Sequence, residues 1–406
     1  MENVIRYKRR QHTLRYSPSK CWEFVQKFQK RQEQQIRKNP DYREKNVFAF
    51  ITDGRTLYAA WERVKDNAGA SGVDRESVRY IEELGPATRI KKLGRSLRDG
   101  TYKSLPLRPV KVPKPEGGKR ELHIPNINDR IIMTAVVLAL EVMVRLRFED
   151  LPVHGFIPRR GPHAALEVLE NPLALQAEFV IHLDVVKFFD RIDQGLFRER
   201  LHRYADDWRA EKLIWSWLRA GCLRGNLYVP AHEGIPQGSP LSPTLANIYL
   251  EGFDHWASGP EISEKFGSCY CRYADNLLWL CSRDPDGMVA AANERLAQDK
   301  LSAKGKIGGG KGWKKAVKPW GFLGFIIQRT DEGFVLRPNP ERIRQRIERC
   351  EDIRRKAERR IRASIEGALR YYEPCGGIDG LSEEVRKSPD TVQGLKTWLD
   401  KEVRKR

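Results

Sequence analysis

Cysteine is sparse and unpaired in this chain. The seven cysteines, at positions 21, 222, 269, 271, 281, 350 and 375, include no C-x-x-C pair. Cys269-x-Cys271 is too closely spaced for a zinc knuckle and has no second pair, so reduced, buried thiols are expected. Long apolar runs are missing too. No stretch is long enough to span a bilayer, and the start "MENVIRYKRRQHTLRY" has no signal-peptide core, so no membrane association is expected and the cytoplasm is the expected location. Internal repeats and low-complexity tracts are absent. Acidic residues are short in supply: Asp and Glu number 54 against 74 Lys and Arg, for a formal net charge of +20. A balance of that sign favours a polyanionic partner, with nucleic acid first. The 10 Trp, 13 Tyr and 15 Phe supply faces on which bases can stack.

The 406 residues suffice for one large core or two to three smaller units. Residues 1–46 form a basic extension, with 13 Lys and Arg against 5 Asp and Glu. Cys21, Trp22, Val25 and Phe28 recur in it at helical spacing and predict a helix over 18–37, entered at Ser17-Pro18-Ser19 and stopped before Asn39-Pro40. Over 47–175, "TLYAAWERVKDN" predicts a helix. "LRPVKVPKPEGGKRELHIP" predicts two strands joined at Glu116-Gly117-Gly118, and "DRIIMTAVVLALEVMVRLRFED" a buried helix. Over 176–335, strands and helices alternate. "EFVIHLDV" reads as a strand, "LIWSWLRAGCL" as a helix, and "SPLSPTLANIYLEGFDHWA" as a helix opened by Ser and Pro. "CYCRYADNLLWLCS" reads as strand, turn, strand, "MVAAANERLAQDKL" as a helix, and "WGFLGFIIQR" as a strand. The pattern predicts an α+β sheet with helices on one face. From 336 to 406 the pattern turns helical, with Ile343, Ile347, Cys350, Ala357, Ile361 and Ile365 near a 3.6 period and an arginine-rich opposite face that includes Arg344, Arg355 and Arg359. A solvated charged face accounts for such a stripe, but Arg in that density also suits phosphate.

Two carboxylates stand out. Asp184 ends the apolar run "FVIHLD", and Asp275 sits in a turn between "YCRY" and "LLWL". Carboxylates are seldom buried without a partner or a metal. Two of them at neighbouring strand ends can hold two Mg²⁺ about 4 Å apart, although strand-end and turn residues are the plainer reading of spacing alone. A second string, "YADD" at 204–207, competes with Asp275. Its surroundings are charged, with apolar residues at helical spacing, so Asp206 and Asp207 are expected on an exposed helix or at its start.

The blocks "GIPQGSPLSPTLANIYL" (234–250), "HLDVVKFFDRID", "RYADN" and "WGFLGF" stand in an order and spacing that resembles a reverse transcriptase. Upstream, "AWERVKDNAGASGVD" (60–74), "GTYKSLPLRPVKVPKPEGGKRELHIPNINDR" (100–130) and "HGFIPRRGPHAALEVL" (154–169) resemble group II intron-type bacterial reverse transcriptases. The match spans roughly residues 55–335. It implies a right-hand polymerase of fingers (47–175), palm (176–335) and a mostly α-helical thumb with a basic tail (336–406), preceded by the helical extension.

The resemblance also implies roles. Asp184 and Asp275 are the catalytic metal ligands, with the Val185 carbonyl and Asn276 beside them, for two Mg²⁺ or alternatively Mn²⁺. Lys114 and Arg120 on the 107–125 hairpin contact the triphosphate. Phe189 is the steric gate that rejects a ribose 2′-hydroxyl. Gln237 and Gly238 lie under the incoming nucleotide and template base, and Gly324 lies in the primer-supporting "WGFLGF". Lys304 or Lys306 is the lysine that protonates pyrophosphate. Arg159 or Arg160 substitutes for the arginine that the family carries where Ile157 stands. The implied partners are an RNA template (a dedicated structured non-coding RNA), a DNA or RNA primer and dNTPs, with a homo-oligomer or partner protein as a further expectation.

Asn276 departs from the family's Y-A-D-D. An amide keeps an oxygen ligand but lacks the charge, so altered metal use is expected. Nothing after residue 375 resembles a nuclease extension, which leads to the expectation of a domesticated enzyme serving antiviral defence, retron-like or CRISPR-associated. Two alternatives stay open: a weakened or inactive, maturase-like RNA-binding protein, and an enzyme that makes DNA without an ordinary template or primer.

Overall fold

The computed structural model describes residues 17–67, 69–113, 118–309, 319–330, 333–345 and 347. Helix α1 (Pro18–Lys38) begins where Ser17 caps it, the hydroxyl accepting from the Lys20 amide, with Pro18 at the first helical position. It stops at Asn39, which is extended. Its inner face (Cys21, Val25, Ile36) is buried, and Gln32 donates to the Ala139 carbonyl at 2.9 Å. The helix therefore shares one core with α2 (Val47–Ile51), α3 (Gly54–Asn67) and the long α6 (Ile127–Arg147). Helix α6 is apolar nearly all round and buried nearly all round, as a core helix must be. Between α3 and α6 come α4 (Val78–Leu84), α5 (Pro86–Arg98) and an antiparallel hairpin of β1 (Arg108–Pro113) and β2 (Lys119–Ile124). Lys114 and the rest of the hairpin tip at 114–117 lie outside the described residues.

After α7 (Pro162–Leu166) and α8 (Pro172–Gln176), the chain enters β3 (Phe179–Val185). Then come α9 (Phe188–Arg191), α10 (Gln194–Leu201), α11 (Trp208–Leu218), the short hairpin β4 (Cys222–Arg224) and β5 (Leu227–Val229), and helices α12 (Ser242–Ala257) and α13 (Pro260–Phe266). Strands β6 (Ser268–Tyr273) and β7 (Asn276–Cys281), helix α14 (Pro285–Gln298) and β8 (Ala303–Gly309) complete an antiparallel sheet ordered β6-β7-β3-β8. A second sheet, β11-β10-β9, is built from β9 (Trp320–Phe322), β10 (Phe325–Thr330) and β11 (Gly333–Pro338).

Several expectations need correction. The helix read through "LIWSWLRAGCL" ends at Leu218. Gly221 at φ +62° turns the chain, and Cys222 starts β4. "WGFLGFIIQR" is two strands, because Leu323 (φ +50°) and Gly324 (φ +89°) make a two-residue hairpin turn. The four-stranded sheet is covered on both faces. One face, with Ile181, Leu183, Leu277 and Trp279, packs into the core that includes α12 and α14. The other, with Val180, Cys271, Leu278 and Leu280, packs on α7, α8 and the β9–β10 hairpin. Two-sided burial explains why these strands read as unbroken apolar runs. Strand β11 continues to Pro338.

Candidate active site at the end of the four-stranded sheet

Paired strand residues point to the same face of a sheet, so registry places the site. Across β6-β7-β3-β8, Tyr273, Asn276, Asp184 and Lys304 form one row. The next row is Cys271, Leu278, His182 and Lys306. Beyond it come Cys269, Leu280 and Val180, which are covered by the apolar packing of the second sheet. The face is thus polar and open at one end and sealed at the other. Lys304 stands directly opposite Asp184 and Lys306 opposite His182, which favours Lys304 as the lysine beside the carboxylates.

Asp275 is not in the row. It sits in the turn that joins β6 to β7, after Ala274 at φ +59°, and its carbonyl accepts from the Val185 amide at 3.0 Å. That bond holds the turn against the end of β3, bringing residues 184 and 275 together across 91 positions of sequence. Burial pushes the Asp275 carboxyl up from the ordinary range, and the Asp184 charge pushes the same way. A divalent cation relieves both effects. The donors are hard oxygens, and the set is small: among the described residues no three His, Cys, Asp or Glu side chains gather as a metal cluster. Mg²⁺ accepts such a sparse protein shell because it retains waters and phosphate oxygens. The pair therefore fits a divalent metal, with Asp184 and Asp275 to hold it and the Val185 carbonyl at the adjoining strand end.

The turn is braced from behind by residues that the sequence reading passed over. Arg272 is fully buried and makes a two-pronged pair with fully buried Asp254 at 2.7 and 2.6 Å. It also donates to Asn247 Oδ1 and to the Ala274 carbonyl, each at 3.0 Å. Asn247 in turn donates to the Gly155 carbonyl at 3.0 Å. Gly155 lies so close that a Cβ there would stand 2.2 Å from the Ala274 nitrogen. A lone Arg inside the apolar string "CYCRY" is the signal that could have found this brace, since a buried Arg demands a partner.

A cavity of about 390 Å³ opens near the carboxylates, lined by Arg120, Phe156, Phe189, Gln237 and Gly238 among others. Strand β2 supplies Arg120, whose charge is felt at Asp275 and lowers its pKa. The β2 backbone is tied to the 234–241 loop, His123 donating to the Gln237 carbonyl at 2.6 Å. Gly238 (φ +104°) passes against Leu122 and His123. Phe189 meets Phe156 edge-on at 6.4 Å.

Other expected site residues fall elsewhere. Arg160 braces a loop, donating to the carbonyls of Leu151 and Val153 at 2.7 and 2.8 Å. Arg159 is exposed. Gly324 makes the β9–β10 turn, and Arg344 is exposed on a helical turn, paired with Glu341 at 3.2 Å. Arg355 and Arg359 lie outside the described residues. In the competing "YADD", Tyr204 is fully buried and Asp207 caps α11, accepting from the Arg209 amide at 3.2 Å and also from the Phe48 amide at 2.8 Å. Asp207 does start a helix, as expected, but it is buried rather than exposed. The five described cysteines are free and buried. No described helix is long and apolar enough to cross a membrane.

A family model described as reverse transcriptase (RNA-dependent DNA polymerase) matches residues 112–327. The group II intron-encoded protein LtrA of Lactococcus lactis subsp. cremoris is 34% identical over 212 residues, covering 51% of this chain and 34% of LtrA. Protein YkfC of Escherichia coli (strain K12) is 31% identical over 233 residues, covering 56% of this chain and 61% of YkfC. The chain thus spans only part of the length of these curated relatives. Among solved structures, a chain of a partial Cas6-RT-Cas1--Cas2 complex aligns over 63% of this chain and 41% of its own length, with 21% identity and a TM-score of 0.40.

Proposed function

The chain belongs to the reverse transcriptase (RNA-dependent DNA polymerase) family, and on that footing we propose that it synthesises DNA on an RNA template, from dNTPs and a primer. The observation that carries this reading is the meeting of Asp184, Asp275 and Lys304 at the open end of one sheet, beside the cavity lined by Arg120, Phe189 and Gln237. A two-metal site supplies an activated 3′-hydroxyl and neutralises the departing pyrophosphate. The chain's own residues do the rest. Asp184 and Asp275 hold the cations, Mg²⁺ or Mn²⁺. Arg120 faces the triphosphate, and the sequence resemblance implies the same role for Lys114. Lys304 delivers a proton to the leaving group. Phe189 occupies the space of a 2′-hydroxyl. The parts correspond to fingers (47–175), palm (176–335) and thumb (336–406) behind the basic extension (1–46).

The finer reading, copying of a dedicated structured RNA in antiviral defence, rests on the sequence resemblance. Sequencing the RNA that co-purifies with the chain, together with the DNA it makes, tests it. DNA complementary to one recurrent RNA supports the reading, and DNA matching no bound RNA points to synthesis without an ordinary template.

Asn276 favours a second reading, a maturase-like protein that binds RNA without copying it. That reading requires function to survive Asp184→Ala, and loss of function in that variant excludes it.

A further inference from the structure

Asn276 differs from a carboxylate in one respect that the fold uses. Its Oδ1 lies 3.0 Å from His182 Nε2, and its Nδ2 lies 3.3 Å from Asp275 Oδ1. An amide oxygen can only accept, so His182 Nε2 carries the proton and donates it. With the oxygen engaged there, the NH₂ group turns to Asp275 and donates to its carboxylate. An aspartate at 276 has no hydrogen to offer Asp275 and would set a third negative charge beside Asp184 and Asp275.

The strand sets His182 in place. It lies two residues before Asp184 on β3, on the same face, and its ring meets Phe322 of β9 edge-on, with centroids 5.4 Å apart. A line of contact therefore runs from the β9–β10 hairpin through His182 and Asn276 to Asp275.

We propose that His182 and Asn276 are a positioning pair. His182 fixes the amide, the amide fixes Oδ1 of Asp275, and the remaining carboxylate lone pairs stay directed at a divalent cation. The Asn276 oxygen then faces His182 and acts on the cation through Asp275, a different role from the direct ligand that its place in the motif implies. The inference rests on the reading of Asp184 and Asp275 as cation ligands. Hydrogen-bond partners of metal ligands govern metal affinity without touching the metal.

The test is a double-mutant cycle read by Mn²⁺ binding. Free Mn²⁺ is measured by electron paramagnetic resonance with the full chain on a defined RNA template and DNA primer, the duplex alone being subtracted. His182→Leu and Asn276→Leu each weaken Mn²⁺ binding about tenfold. The double variant is no weaker than either single, because the two residues act as one unit. His182→Gln, which keeps a donor, stays near wild type, and the Mg²⁺ concentration for half-maximal primer extension follows the same order. Unchanged Mn²⁺ binding in His182→Leu overturns the pair, as do single effects that multiply in the double variant. Asp184→Ala separates the two claims. If it leaves Mn²⁺ binding intact, the metal-site reading falls and takes the inference with it. If it abolishes binding while His182→Leu does not weaken it, the inference falls alone.

Discussion

At the residue scale, the position that departs from the family motif has a partner of its own. Asn276 is held by His182 and donates to Asp275. Replacing it with the family's carboxylate therefore removes a donor as well as adding a charge. Asn276→Asp is expected to slow primer extension about tenfold at saturating Mg²⁺, measured as the single-turnover rate; faster extension would mean that the amide merely weakens the site. The two lysines separate by registry. Lys304→Ala, opposite Asp184, should lower that rate about a hundredfold, and Lys306→Ala much less. Phe189→Ala should raise ribonucleotide incorporation relative to deoxynucleotide by roughly ten- to a hundredfold, read from product ladders. Asp184 and Asp275 were legible in the sequence because each interrupts an apolar run. His182 was not, since a single His in a strand says nothing of a partner 94 positions away.

At the scale of elements, the strand-turn-strand unit of β6 and β7 carries the site, and its rigidity comes from the helix behind it. Arg272 ties the turn to Asp254 and Asn247 of α12. Arg272→Ala leaves the buried Asp254 carboxylate without its cationic partner, with only the Tyr270 hydroxyl still donating to it at 3.0 Å, which should cost about 3–5 kcal/mol; a denaturant midpoint near wild type would contradict this. Gly155→Ala forces the loop and the turn apart, because the added Cβ meets the Ala274 nitrogen. Synthesis should fall about a hundredfold, with the chain still folded by circular dichroism. Most elements were visible in the sequence, including the cap at Ser17 and the all-round apolar α6. Their ends were less visible. Apolar content continues past Leu218 and through Leu323, so only the backbone at Gly221 and at Leu323-Gly324 reveals where the chain reverses. Coverage of both sheet faces was implicit in the unbroken apolar strands, but not that α7, α8 and the β9–β10 hairpin supply the second cover.

At the scale of the whole molecule, a formal charge of +20 suits a polyanionic partner. Binding to single-stranded RNA should fall steeply with salt. A footprint that neutralises about six phosphates gives a slope of about −4 in log affinity against log salt, measurable by fluorescence anisotropy, and a slope near zero would remove the electrostatic part of the account. On the proposed reading, Asp184 and Asp275 together make a polymerase that copies RNA into DNA. The most direct measurement is extension of a labelled DNA primer on an RNA template, with dNTPs and Mg²⁺, by the wild-type chain and by Asp275→Ala. RNA-dependent full-length DNA is expected from the wild type and none from the variant. Equal products from both, or none from the wild type with either Mg²⁺ or Mn²⁺, would contradict that reading.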